Sequence, residues 1–360
     1  MLRLFARKTF MFNAAVAVSA ALVGLLAAQT TFAGPRKLRV AYYVPATHIY
    51  ATGAIEPFAK EFAKRSNGQL TVDFYPAQQL GKGPDAIRMV QTGIADLVFM
   101  TTVYHSQELP ASQYLALPHS LDGMTTANVF WRATHEPGIV KDEWDSQGIV
   151  LLTAYANPPS EFSSTDIPLD GPQSLKGVRM RAPGEVLTLI AEAVGAIPVE
   201  VTTPDQYEAL QRGLIKSVNY VFSSWNAYKL SELLHHSTVG LNIYSTNPAV
   251  IASQRMLDSL SPELRKLLID TGREYSAIGE RAVLGQEDKA LKKFIAEGLK
   301  IYEWSANDKA WLDGQFANVR NFWIEKATKS GIDGAAVAKQ FEQFAAAAKA
   351  DPKNFPSYLK

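Results

Sequence analysis

Arg181 is the residue whose setting carries the most chemistry. It lies near the end of Val178-Arg179-Met180-Arg181-Ala182, whose alternation predicts a strand with Val178 and Met180 on one face and Arg179 and Arg181 on the other, and Pro183-Gly184 ends that strand at once. A guanidinium is always charged and forks onto a carboxylate through two parallel hydrogen bonds, which a lysine cannot reproduce. Ligands of α/β sheets sit outside the carboxyl ends of the strands. Two roles are therefore open to Arg181, an anion clamp and a surface ion pair.

Other constellations offer less. Gly81-Lys82-Gly83-Pro84-Asp85-Ala86 has the outline of a dinucleotide loop, but the strand before it ends several residues too early, and residues 101–106, where a ribose-binding acid would fall, contain none. It reads as a tight turn before a helix that starts with proline. The six histidines (48, 105, 119, 135, 235 and 236) never flank a helical glutamate at i, i+4, and no Gly-x-Ser-x-Gly elbow occurs. Asp142, Glu143 and Asp145 beside Lys141 and Trp144 read as a solvated corner rather than an acid/base pair. With no cysteine at all, disulfides, thiolate metal sites and cysteine nucleophiles are excluded together.

The elements that would position Arg181 follow an α/β pattern. Residues 38–44 predict a strand, and Ile55, Phe58, Ala59, Phe62 and Ala63, at i, i+3, i+4, i+7 and i+8, predict a core-facing helix that stops at Asn67-Gly68. Leu70, Val72 and Phe74 alternate as a second strand; Pro84 opens a helix that Gly93 stops, and residues 95–100 form a third strand. Such β-α-β-α-β order implies parallel strands with right-handed crossovers. The pattern restarts with strands near 149–155, 178–182, 198–202 and 217–222, and with helices over 184–194 and 204–212. The second of these helices opens at Thr203-Pro204-Asp205-Gln206 in the form of a capping box.

From Ser261-Pro262 a helical pattern runs to about Lys300, past Gly272, Gly279 and Gly285. Unbroken, about 38 residues at ~1.5 Å each would span about 57 Å and bridge two lobes; broken at the glycines, it would be two or three helices. The alanine-rich tail, with Val337, Phe341 and Phe344 on one face, reads as a packing helix ending at Asp351-Pro352.

Length and charge agree with two soluble lobes. The chain has 360 residues with 47% hydrophobic and 20% charged content, an ordinary globular composition at a length where two domains are the default. It carries 36 basic and 35 acidic side chains, but Arg3, Arg7 and Lys8 are the only charges among residues 1–33, so the rest is slightly acidic and offers little to nucleic acid. Those residues read as a secretory signal: a basic start, an apolar run over 10–28, and Thr31-Phe32-Ala33 as a small-x-small cut after about Ala33. The competing reading is a membrane anchor, disfavoured by the polar Gln29-Thr30-Thr31 before the cut.

Five passages in register resemble the substrate-binding protein of a tripartite ATP-independent periplasmic (TRAP) transporter, of the DctP type. They are Phe74-Tyr75-Pro76-Ala77-Gln78-Gln79-Leu80-Gly81, Val90-Gln91-Thr92-Gly93-Ile94-Ala95-Asp96, Leu175-Lys176-Gly177-Val178-Arg179-Met180-Arg181-Ala182-Pro183, Tyr207-Glu208-Ala209-Leu210-Gln211-Arg212-Gly213 and Leu257-Asp258-Ser259-Leu260-Ser261-Pro262-Glu263.

The resemblance implies a two-lobed α/β periplasmic binding fold with a cleft between lobes, crossovers at a hinge and a long bridging helix. Lobe I would take 34–158 plus 247–286, and lobe II 159–246 plus 287–360. It implies a periplasmic receptor that captures an organic acid without cofactor, metal or catalysis and delivers it to the transporter's integral membrane subunits. Arg181 falls on the family's carboxylate-pairing arginine. Near cleft-lining positions fall Tyr42 and Tyr43, Thr101 and Thr102, Tyr155 with Asn157, Asn219 with Tyr220, Trp225, and Asn247; core packing is the alternative, above all for Tyr42 and Trp225.

Departures from the family narrow the ligand. Ser163-Ser164-Thr165-Asp166 stands where many members carry a second basic residue, and Ile215-Lys216-Ser217-Val218-Asn219-Tyr220 replaces a Val-Asp-Gly-x-Glu type of sequence. Residues 217–228 contain no acid to hold a bridging metal. A monocarboxylate with a modest aromatic or apolar body and one or two hydrogen-bonding groups is the expectation. Three rivals remain: a binding protein of an ATP-driven importer or chemoreceptor, which predicts no long bridging helix, a secreted enzyme using the same cleft, and a structural adhesin or assembly factor, which predicts no buried anion site.

Overall fold

In the computed structural model, which describes residues 35–357, the repeating β-α units build two separate sheets. The export signal read over residues 1–33 lies outside the described residues. The first sheet begins with β1 (Arg36–Tyr42), α1 (Glu56–Arg65), β2 (Leu70–Tyr75), α2 (Ala86–Thr92) and β3 (Leu97–Thr101). Phe58, Ala59 and Phe62 are fully buried on α1, as their spacing predicts, and each phenylalanine contributes about 2–3 kcal/mol of burial. β1 and β3 run parallel, with Val40 opposite Leu97. Helices α3 (Gly123–His135) and α4 (Ile139–Ser146) then lead to β4 (Ile149–Ala154).

The second sheet takes β5 (Glu161–Ser164), β6 (Arg179–Arg181), α5 (Gly184–Ala193), β7 (Ile197–Val199), α6 (Gln206–Gln211), β8 (Ser217–Tyr220) and β9 (His236–Thr238). The chain then returns to the first sheet as β10 (Pro248–Ser253), antiparallel to both β3 and β4. After α7 (Gln254–Asp258) and α8 (Pro262–Ala296) it adds β11 (Lys300–Tyr302) to the second sheet and ends in α9 (Ala306–Lys329) and α10 (Gly334–Ala350). Strand orders are β2-β1-β3-β10-β4 and β11-β9-β5-β8-β6-β7. The sequence pattern does not disclose β5, β9, β10 or β11. β5 and β9 are buried yet built largely from Ser, Thr, His and Glu, so they carry no apolar alternation.

The chain crosses between the sheets three times. Residues 155–160 and 243–248 run side by side and antiparallel, joined by Tyr155 N–H to Pro248 O (2.9 Å), Asn157 N–H to Thr246 O (3.1 Å) and Ser160 N–H to Tyr244 O (3.1 Å). The third crossing is α8, continuous for 35 residues or about 52 Å. Its glycines do not break it. A Cβ at Gly272 would stand 2.0 Å from Leu152 O, and one at Gly279 would stand 2.7 Å from the Tyr155 ring, so both permit close seating on the first sheet. On the same helix Ser276 Oγ accepts from Ala154 N–H (2.9 Å), Glu280 Oε2 from Ala156 N–H (2.8 Å), and Glu287 from Phe222 and Ser223 N–H (2.7 and 2.8 Å).

The acidic cluster on α4 is a solvated corner only in part: Asp142 and Asp145 are exposed, with Asp145 paired to Lys141, but the two residues between them are not. Trp144 is buried and Glu143 accepts from the Ala111 and Ser112 amides, so this segment ties a neighbouring 3₁₀ turn to the first sheet.

Candidate functional site

Arg181 ends β6, paired with Val199 of β7. Its strand neighbour Arg179 is exposed and donates to Gly213 O, whereas Arg181 is only 2% exposed. Arg181 Nη2 donates to Thr203 Oγ1 (2.8 Å), the guanidinium stands 5.5 Å from the centre of the Tyr220 ring, and Nε is buried without a partner. Among the described residues no carboxylate pairs with it. A buried cation in this state has lost its water and gained no counter-charge, an arrangement that favours an anion from outside.

The guanidinium faces a small cavity between the sheets. Tyr43 after β1, His48 and Tyr50 at the following helical turn, Thr101 at the end of β3, and Tyr104 line it from one side. Arg181, Thr203, Tyr220, Ser224 and Tyr244 line it from the other. Most of these residues come from the carboxyl ends of strands or the loops after them, where sheets of this kind bind ligands. Burial pushes the phenols of Tyr43 and Tyr220 far up and that of Tyr244 to about 12, and it pushes His48 down to about 3. At neutral pH these side chains are uncharged hydrogen-bonding groups around one fixed positive charge.

Five of the ten predicted positions meet in this cavity: Arg181, Tyr43, Thr101, Asn157 and Tyr220. Both polar atoms of the Asn157 side chain already have a partner there. Its Oδ1 accepts from Tyr50 OH (2.8 Å) and its Nδ2 donates to Thr246 Oγ1 (2.5 Å), so it braces the crossover. The other five are fully buried but outside the cavity lining. Thr102 opens a 3₁₀ turn and Asn219 points to the opposite face of β8 from Tyr220, as neighbours on an extended chain must. Tyr155 packs between Tyr50 and α8 at Gly279, and Trp225 is wedged between Phe222 and Phe294. Asn247 lies between two lining residues, Thr246 and Pro248. Tyr42 also packs in the core, donating to Glu56 (2.7 Å).

Sequence reasoning missed His48, Tyr50, Tyr104, Thr203 and Tyr244. Thr203 was hidden by its resemblance to a helix cap. In the structure a 3₁₀ turn precedes α6, and the Thr203 hydroxyl serves Arg181 and Tyr104 instead: Tyr104 OH lies 2.8 Å from Thr203 Oγ1 and accepts from Thr203 N–H (2.9 Å).

Residues 40–326 match the sequence model of the bacterial extracellular solute-binding protein family 7, DctP. The chain belongs to this family. As a solute-binding protein of the TRAP type it has the two-lobed fold, with α8 as the bridging helix. The C4-dicarboxylate-binding periplasmic protein DctP of Rhodobacter capsulatus is 23% identical over 326 residues, 89% of this chain and 96% of that relative. A TRAP solute-binding protein of Rhodoferax ferrireducens T118, solved with copurified benzoate, superposes with a TM-score of 0.81 at 20% identity, covering 87% of this chain and 98% of that one. A marine-metagenome TRAP solute-binding protein specific for aromatic acid ligands, solved with 3-hydroxybenzoate, gives 0.81 at 23%, covering 88% and 99%.

Proposed function

We propose that this protein is a periplasmic receptor that captures an organic monocarboxylate between its lobes and hands it to the membrane subunits of a TRAP transporter. The observation that carries this reading is Arg181, a buried guanidinium with an unpartnered Nε and no carboxylate beside it among the described residues. The ligand's carboxylate supplies the missing charge and accepts the fork of hydrogen bonds. Among the described residues no other Lys or Arg lines the cavity, so a second carboxylate would enter without a counter-charge. The tyrosine-rich walls suit a flat aromatic or apolar body, in line with the acids bound by the two solved relatives. The C4-dicarboxylate named for the Rhodobacter relative fits these walls less well.

Capture needs no catalytic group. Lobe I is taken as 34–158 plus 247–286 and lobe II as 159–246 plus 287–360, with α10 packing back onto α3. The acid binds Arg181 on lobe II, and closure adds the lobe I contacts; it favours the closed form only by the extra affinity it finds there. Export and removal of residues 1–33 deliver the receptor to the periplasm.

The test is thermal unfolding of the purified protein against a panel of mono- and dicarboxylates, repeated with Arg181→Ala. A ligand at ~100 times its Kd adds about 2.7 kcal/mol to the native state. A midpoint raised by monocarboxylates in the wild type and unmoved in the variant is expected. An undiminished shift in Arg181→Ala, or turnover of the bound acid, overturns the reading.

A further inference from the structure

We propose that His48 reads a second, uncharged acceptor on the bound acid, its Nε2–H donating to a hydroxyl, oxo or ether oxygen on the ligand. This rests on the receptor reading above and narrows its substrate class to monocarboxylates that carry such an oxygen.

His48 immediately precedes the helical residues 49–65. Its carbonyl accepts from Thr52 N–H (3.0 Å) and its ring Nδ1 accepts from Tyr50 N–H (3.2 Å), so the side chain does the work that Asn, Asp or Ser does at a helix start. This bond decides the tautomer. Nδ1 presents a lone pair to the amide, and the single proton of the neutral ring is therefore on Nε2. The positive end of the helix and the loss of solvent both oppose a second proton, in keeping with a ring held neutral far below its ordinary range.

His48 is 2% exposed, lines the cavity, and its Nε2 has no partner. The ring is held flat against Tyr50 (5.7 Å between centres, 9° between planes) and edge-on to Tyr228 (5.5 Å), so it is not free to turn Nε2 elsewhere. A buried donor left unmade costs free energy that a bound acceptor recovers. The donor is a dipole, not a charge, which selects a neutral oxygen over a second carboxylate. It also comes from the first sheet's side of the cavity while Arg181 comes from the second, so an acid with both groups ties the two lobes together.

The experiment is calorimetric titration of the purified protein with benzoate and with its 3- and 4-hydroxy and methoxy derivatives, for wild type, His48→Asn and Arg181→Ala. Asn keeps an acceptor for Tyr50 N–H but has nothing at the position of Nε2, so the helix start survives. In wild type at least one oxygen-bearing acid binds about 10-fold more tightly than benzoate, the value of one well-made buried hydrogen bond. In His48→Asn that advantage falls to under about 3-fold, the hydroxy and methoxy acids losing more affinity than benzoate does. A wild-type measurement stands beside it: the imidazole Nε2–H resonance moves on adding the preferred acid and stays in place with benzoate. Equal losses for benzoate and its derivatives in His48→Asn, no advantage in wild type, or an unmoved Nε2–H overturn the role of His48 while binding that is lost in Arg181→Ala keeps the receptor reading. Absence of binding by every acid in wild type overturns both.

Discussion

Arg181 Nη2 donates to Thr203 Oγ1 across 2.8 Å, and Thr203 in turn meets Tyr104 of the other side of the cavity through both its amide and its hydroxyl. One threonine thus aims the guanidinium and links the two lobes. Thr203→Val removes the hydroxyl at constant shape and should weaken acid binding by about 1–2 kcal/mol, roughly 5- to 30-fold, whereas Thr203→Ser should stay within about 3-fold of wild type. Titration of the three proteins with one acid decides this. A valine variant that binds as tightly as wild type would show that Arg181 needs no such positioning.

Arg181 itself should be costly to keep without ligand. Replacing it with Met, which fills similar space without charge, removes an unpaired buried cation, and the unliganded unfolding midpoint should hold or rise. Acid binding should fall by about 100-fold or more, because two charge-assisted hydrogen bonds are lost at once. Arg181→Lys should recover only part of it, since an ammonium cannot form the fork. A methionine variant that unfolds well below wild type would mean the guanidinium is structural.

Much of this was legible from sequence, for local reasons. Strand alternation placed Arg181 at a carboxyl end, and helical spacing on α1 chose the buried face correctly. The cleft was legible only by halves. Where two neighbours were both proposed, Thr101 with Thr102 and Asn219 with Tyr220, one of each pair had to face away, and nothing local says which. His48 escaped because a histidine was weighed as a metal ligand, and Thr203 because a cap motif already explained it. Strands β5 and β9 escaped because their pairing partners are distant in sequence and their buried side chains are largely polar, and β11 because its three residues, Lys300-Ile301-Tyr302, are too few to show an alternation.

The glycines of α8 separate close seating from helix breaking. At Gly272 a methyl group would collide with the Leu152 carbonyl, a backbone atom that cannot swing aside, while at Gly285 it would meet nothing within 4 Å. Gly272→Ala should therefore cost about 2–4 kcal/mol through overpacking, and Gly285→Ala should gain about 0.5–1 kcal/mol from helix propensity. Denaturant unfolding of the two variants checks the pair. Equal effects of the same sign would mean that α8 is not seated on β4 as described.

Glu280 of α8 is fully buried; its Oε2 accepts from Ala156 N–H at the crossover, and its Oε1 has no partner. Burial pushes its carboxyl well above the ordinary range. The unfolded chain releases this proton near pH ~4.3, whereas the native protein retains it to much higher pH. The stability linked to the proton is therefore fully present below about pH 4 and declines as pH rises through the native value. Glu280→Gln keeps an oxygen for Ala156 N–H and carries no charge to bury. It should leave the midpoint near wild type at pH 4 and raise it at pH 7, by about 2–4 °C for a gain of ~1 kcal/mol, so that the gap between the two proteins widens with pH. Glu280→Ala, which leaves the Ala156 amide unmet, should be less stable than the glutamine variant at every pH. Melting curves of the three proteins at four pH values between 4 and 8 are sufficient, and a glutamine variant that falls further below wild type as pH rises would establish that the helix holds the crossover with a charged carboxylate.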